Sequence, residues 1–191
     1  MILKKIAESV TKPLSFNRLS NILKSAGAVL GKQTVINYVG YMMDSYMLFT
    51  LQNYAAKLVE KETSPKYYFM DTGLLGLMLM DCSSAQLENL VAIELIRRYG
   101  RENVFYFEKN VEIDFYVPEE KLAIQVSLQV LDQIDTRERE IGAFVKLKNF
   151  IGDATCLLIT NSEEEELDYE GVHVSVVPVW KWLLQNRKQD I

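Results

Sequence analysis

Of 191 residues, one is histidine, two are cysteine and four are proline, and each scarcity removes a class of explanation. A structural zinc site needs about four Cys or His ligands at short spacing. Cys82 and Cys156 have no such spacing, and His173 stands alone between Val172 and Val174 in a strand-like run. The two cysteines read as reduced thiols, not as a disulfide framework. The longest near-apolar run, Gly73–Met80 (GLLGLMLM), is far short of the roughly 20 residues that a membrane span needs. The N-terminus mixes Lys and Glu and lacks the apolar core of a signal peptide. A cytoplasmic protein with no membrane partner is the expectation.

What is present is globular material, 49% hydrophobic and 25% charged, enough for one medium domain or two small ones. The charge is unevenly spread. Residues 1–66 hold 9 Lys/Arg and 4 Asp/Glu, whereas residues 67–191 hold 12 and 22, so a net +5 is followed by a net −10. A basic first third and an acidic remainder suggest two modules with different partners.

Residues 2–9 read as helical, and Ser15 starts a second helix with the face Leu14, Leu19, Ile22 and Leu23, which Gly27 ends. Gly31 precedes a third helix, about Gln33–Met43. Leu48–Tyr54 and Tyr67–Met70 are β-rich runs around a polar, Lys/Glu-bearing segment. Three short helices and a two-stranded wing spell a winged helix-turn-helix over about 1–70. From Asp71 the pattern becomes a helix (Ala85–Tyr99), a short strand (Val104–Phe107), a hairpin, an amphipathic helix (Asp132–Phe150) and an apolar strand (Ala154–Thr160). An acidic loop (Asn161–Gly171), a strand (Val172–Val177) and a closing helix (Val179–Asn186) follow.

Gly27–Thr34 (GAVLGKQT) imitates a phosphate-binding loop but fails on spacing. Three residues separate the glycines instead of four, Gln33 intervenes between Lys32 and Thr34, and the segment follows a helix where the motif follows a strand. No nucleotide is expected on this chain.

Three segments carry chemistry. The third helix opens on Lys32, Gln33 and Thr34 and exposes Asn37, a set able to meet phosphates and base edges of DNA. Tyr38, Tyr41 and Met42–Met43 make it greasier than a typical reading helix, so packing or dimerisation is the competing reading. The second segment is Val111–Ser127 (VEIDFYVPEEKLAIQVS). Its first strand places Glu112, Asp114 and Tyr116 on one face, and its second places Ala123, Gln125 and Ser127 on one face. An acid on one strand facing a polar-x-polar pair on the next is the skeleton of a Mg²⁺-dependent nuclease site. One acid on each strand would hold the metal, and a Lys two residues on would polarise water or phosphate. Asp114 fills the first place, while Gln125 and Ser127 stand where the second acid and the Lys belong. Gln125 retains a carbonyl oxygen for a metal but no charge, and Glu112 is one pleat away to compensate. A polar sheet face turned to solvent or a partner is the competing reading. The third segment is the helix Ala85–Tyr99, with Glu88 and Glu94 among apolar neighbours. A buried glutamate needs a metal, an Arg or backbone donors. Either could complete the acid cluster, or pair with Arg97 or Arg98.

Thr34-Val35-x-Asn37-Tyr38, Lys66-Tyr67-Tyr68-Phe69-Met70-Asp71-Thr72-Gly73-Leu74, Glu88-Asn89-Leu90-Val91-Ala92-x-Glu94-Leu95, and Glu112-Ile113-Asp114-Phe115 with Ala123-Ile124-Gln125-Val126 together resemble one source. It is the C-terminal region, a domain of unknown function, of a large family of prokaryotic AAA-type ATPases. The resemblance implies a winged helix followed by a PD-(D/E)XK nuclease-like fold, with the ATPase module N-terminal to it. That family commonly has an acid and a Lys where this chain has Gln125 and Ser127. The expectation is therefore an α+β chain with a small winged helix (1–70) and a restriction-endonuclease-like αβββαβ mixed-sheet domain (71–191). Its first reading is a degenerate nuclease-like module that binds nucleic acid or a partner protein. An active Mg²⁺-dependent nuclease with Asp114 and Gln125 as ligands, aided by Glu88 or Glu112, is the second reading. A protein-interaction or regulatory domain, with homo-oligomerisation as its sign, is the third.

Overall fold

The chain is an α+β protein, and its computed structural model describes residues 1–57, 63–131 and 134–185. Two units emerge, Met1–Ile93 and Glu94–Ile191. Part of the expected polar segment between the first two β-rich runs, and the first two residues expected in the amphipathic helix, lie outside the described residues, as does Asn186.

The first unit begins with α1 (Ile2–Ala7), α2 (Phe16–Ser25) and α3 (Lys32–Asp44). Ser15 caps α2 by accepting a hydrogen bond from the Arg18 amide at 3.2 Å, satisfying one of the orphan donors of the first turn. The helix ends in a Schellman motif. Gly27 sits at φ +84°, its amide donates to Lys24 O and that of Ala28 to Leu23 O, both at 2.9 Å. Only a residue comfortable in the left-handed region closes a helix this way, which is what the first glycine of the apparent phosphate loop does. Leu19, Leu23, Val35 and Val39 are fully buried beneath these helices.

Strands β1 (Leu48–Asn53) and β2 (Lys66–Phe69) then pair antiparallel, with Phe49 opposite Tyr68. The two rings stack with centroids 5.6 Å apart. All four residues of β2 are buried, so the strand has no solvent face on which to place the Lys66 ammonium. Helices α4 (Gly73–Met78) and α5 (Ser83–Tyr99) follow, and the division between the units falls inside α5. The Asn89 side chain, fully buried, ties α5 to β2 by accepting from Phe69 N at 2.7 Å and donating to Phe69 O at 2.8 Å.

In the second unit, β3 (Phe105–Glu108), β4 (Glu112–Val117) and β5 (Leu122–Val126) form an antiparallel meander. Helix α6 (Ile134–Ile151) leads to β6 (Thr155–Thr160), which runs parallel to β5 on one side and to β8 (Val172–Pro178) on the other. Pairing on both edges makes β6 an interior strand, and its last three residues, Leu158–Thr160, are all buried. Helix α7 (Val179–Gln185) closes the unit.

The segment expected as an acidic loop differs. Glu165–Tyr169 is a strand, β7, antiparallel to β8 with Glu166 opposite Ser175 and Asp168 opposite His173. Only Leu167 turns inward. Charge along an edge strand hides its period while protecting the edge from further pairing.

Arg98 fixes α7. Its guanidinium lies 4.1 Å above the Trp182 ring, Nη2 donates to Trp182 O at 3.0 Å, and Nε donates to Glu94 Oε1 at 2.7 Å. A planar fork does all three, which an ammonium cannot. Arg98→Lys should therefore lower stability by about 1–2 kcal/mol, read as a shift of the urea midpoint. An unchanged midpoint would mean that α7 docks without this contact.

Candidate functional site

The hairpin of β4 and β5 stops behaving as a regular ladder at Asp114 and Gln125. The pairs Val117↔Leu122, Tyr116↔Ala123 and Phe115↔Ile124 are regular. One step further, side chains take over from the backbone. Gln125 Oε1 accepts from the Asp114 amide at 2.8 Å and Gln125 Nε2 donates to Glu112 O at 3.3 Å. Asp114 Oδ2 accepts from the Val126 amide at 2.9 Å. The strands diverge, and the two expected site residues bridge the gap by reaching across to the backbone of the facing strand. Gln125 is buried and Asp114 half-buried, so leaving these backbone groups unpaired would cost about 1–3 kcal/mol each.

Ser127 is the third expected position. Its hydroxyl donates to Gln129 O at 3.1 Å and its amide to Ile159 O at 3.0 Å. The chain just beyond is held by an acid that the sequence reading left inside its loop. Glu163 Oε2 accepts from Val130 N at 2.6 Å, and its Oε1 from Leu131 N at 3.2 Å. Glu163 is itself clasped by Thr160, whose Oγ1 donates to Glu163 O and accepts from Glu163 N at 2.7 and 2.9 Å.

Helix α6 brings a further carboxylate, Glu140, to the hairpin. It is 8% exposed, and Arg139 donates to its Oε1 at 2.7 Å through Nη2. Burial raises its pKa above the usual carboxylate range; Arg139 opposes that, and the charges of Asp114 and Glu112 add to the rise. The signal was in the spacing. Glu140 lies four residues before Phe144 and seven before Leu147, both buried, on the apolar stripe of α6. A carboxyl whose folded pKa is raised weakens the fold when ionised. The penalty is full above the folded pKa and disappears as pH falls towards the ordinary carboxylate value. Glu140→Gln should therefore flatten the rise in stability on going from pH 7.5 to pH 5, measured by urea unfolding at both. An unaltered pH profile would show that Glu140 does not carry this effect.

Of the remaining expected residues, all but Glu94 lie in the first unit. Glu88, 5% exposed, accepts from Tyr68 Oη at 2.8 Å and sits 3.9 Å from the fully buried Lys66 Nζ. Glu94, in the second unit, is taken by Arg97 and Arg98, one of the two roles foreseen for it; hydrogen bonds from Arg97 first, then Arg98, hold its carboxyl below the usual range against the opposing effect of burial. On α3, Lys32, Gln33 and Asn37 are exposed, and Gln33 Nε2 donates to Asn37 Oδ1 at 3.1 Å. Tyr41 on the same helix is 64% exposed.

Magnesium takes oxygen ligands in a near-ideal octahedron, usually through one or two carboxylates. Here the Gln125 carbonyl and one Asp114 oxygen already accept from backbone amides, and an ion would have to compete with both. Among the described residues, no three His, Cys, Asp or Glu side chains are placed to hold a metal ion. The set does not fit magnesium.

Residues 1–85 match the model of a domain of unknown function, DUF8612. The chain is similar to an uncharacterized protein of Methanocaldococcus jannaschii, 32% identical over 181 residues, covering 90% of this chain and 41% of that relative. It thus spans less than half the length of the relative it matches. No solved structure matches the chain. Among the described residues, no helix is long and apolar enough to cross a membrane.

Proposed function

We infer that this chain is a non-catalytic, nuclease-like module led by a winged helix, the C-terminal part of a longer AAA-type ATPase, which binds nucleic acid through its basic first third. The observation that carries the non-catalytic reading is the bridge at the strand divergence. Both ends of the Gln125 amide are hydrogen-bonded to β4 backbone, so the group in the place of a second acid works as a fastener. Removing a positioned charge from a phosphoryl-transfer site typically costs about 10²–10⁴-fold, and this chain lacks two, the acid and the Lys.

Three helices followed by an antiparallel strand pair, in that order, support the winged-helix reading, and a meander followed by helix and parallel strand supports the nuclease-like one. The nucleic-acid reading rests on charge. Net +5 over residues 1–66 and exposed Lys32, Gln33 and Asn37 on α3 offer phosphate contacts, while the acidic remainder would be repelled. A relative more than twice as long as the matched region is in keeping with a module attached to an ATPase.

If about four phosphates are neutralised, the logarithm of affinity should fall against the logarithm of salt with a slope near −3.6. Fluorescence anisotropy of a labelled DNA duplex between 50 and 200 mM NaCl measures it, with a cleavage assay in Mg²⁺ run beside it. Binding without cleavage is expected. Mg²⁺-dependent cleavage abolished by Asp114→Ala would establish an active nuclease instead.

A further inference from the structure

The first unit holds a second donor-rich face, built on α1 and α2 and not on α3. Up to residue 57 its basic side chains outnumber acidic ones seven to two. Helix α2 (FNRLSNILKS) contains no acid. On it, Arg18, Asn21 and Ser25 recur at spacings of three and four and so share one face. With Lys5 of α1, and with Ile22 and Ala26, they line an open groove of about 670 Å³. Arg18 and Asn21 are exposed, and Arg18 forms no ion pair among the described residues. Lys5 donates to Glu8 at 2.6 Å, and both partners are partly exposed. Exposed pairs of this kind are worth about 0–1 kcal/mol, so a phosphate can draw Lys5 away at small cost. Ser25 Oγ donates to the Asn21 backbone carbonyl at 3.0 Å, and Asn21 itself is exposed.

The geometry points to the α1–α2 groove as a binding site for the phosphodiester backbone of a nucleic acid, with Arg18 and Lys5 as its cationic contacts. This inference rests on the nucleic-acid reading above and says which face carries it. The guanidinium fork of Arg18 matches two phosphate oxygens at once, Lys5 supplies a second charge one helix away, and an open groove admits an extended polymer. The α3 set offers one cation, Lys32, against two here, and its Gln33 Nε2 donates to Asn37 Oδ1 at 3.1 Å.

The test is anisotropy of a fluorescein-labelled 20-mer DNA duplex with the full chain, titrated at several NaCl concentrations. Lys5→Ala/Arg18→Ala should make the salt slope shallower by about 1.8 and weaken binding at 150 mM NaCl about tenfold. Arg18→Lys should keep the slope. Lys146→Ala, on the exposed side of α6, should change neither. Circular dichroism checks that each variant is folded. If the wild type binds and the double variant keeps its slope, the groove is refuted while the nucleic-acid reading stands. If the wild type shows no salt-dependent binding, both fall. If a polyglutamate peptide binds better than DNA and is lost in the double variant, the groove takes an acidic protein and the nucleic-acid assignment is overturned.

Discussion

Replacing Glu88 by Ala should destabilise the first unit by about 3–5 kcal/mol, because it removes the carboxylate that faces the buried Lys66 ammonium. Lys66 Nζ and Glu88 Oε1 are 3.9 Å apart, with the two side chains 0% and 7% exposed. That separation is an ion pair and not a hydrogen bond; the short contact to the same oxygen comes from Tyr68 Oη at 2.8 Å. Removing the carboxylate thus removes a counter-charge and the acceptor of the Tyr68 hydroxyl. A typical domain has only about 5–15 kcal/mol in hand, so a loss of this size should be plain in a denaturant titration and could prevent expression. Two further variants separate the charge from the packing. Lys66→Met/Glu88→Leu replaces the pair by apolar groups of similar size and should recover most of the loss, since buried pairs often do little better than well-packed hydrophobes. Glu88→Gln keeps the hydrogen bond from Tyr68 and should fall between the two. A Glu88→Ala midpoint within about 0.5 kcal/mol of wild type, the range of ordinary surface changes, would refute the buried-pair account.

Gln125→Glu, the change that restores the acid of a nuclease-like pattern, should destabilise the second unit by about 3 kcal/mol at neutral pH. The new carboxylate can still accept from Asp114 N, but it loses the donor that serves Glu112 O. It also places negative charge in a buried position near Asp114, Glu112 and Glu140, which already share an electrostatic environment. Its folded pKa would be raised above the ordinary carboxylate value. The penalty should therefore be complete above that raised pKa and shrink as pH falls towards the ordinary one. Urea unfolding of wild type and variant at pH 5 and 7.5 measures this. A variant as stable as wild type at pH 7.5 would mean that the site accepts a second acid, and the reading of Gln125 as a fastener would fail.

How legible each feature was depended on whether a short-range pattern produces it. The Ser15 cap and the Gly27 ending of α2 follow from single residues acting on their own turn, so both were readable. The β4–β5 hairpin was readable because its alternation is strict on both strands. Strand β7 was not, because Glu165, Glu166 and Asp168 give an edge strand the composition of a loop, and only pairing with β8 makes it a strand. The sequence placed Asp114, Gln125 and Ser127 on one polar face, but could not show that Gln125 spends its amide on β4 backbone. That depends on where the ladder stops, a property of the two strands in three dimensions. Glu140 was hidden for another reason. It sits on the apolar stripe of a charge-rich helix, where spacing to Phe144 and Leu147, not composition, marks it as buried. The partners of Glu88 come from a strand twenty residues away in sequence, so the sequence could flag its need of a partner without naming Lys66 and Tyr68.

The most direct test of the central claim, that the strand-divergence residues fasten backbone and do not hold a metal, is a calorimetric titration with Mg²⁺ and Mn²⁺. It would be run on the intact chain and on Asp114→Ala. The account predicts no binding that depends on Asp114, so both titrations should show only weak, equal heats. Binding near one ion per chain that disappears in Asp114→Ala would contradict it, and would make Asp114 a metal ligand and the chain a candidate nuclease.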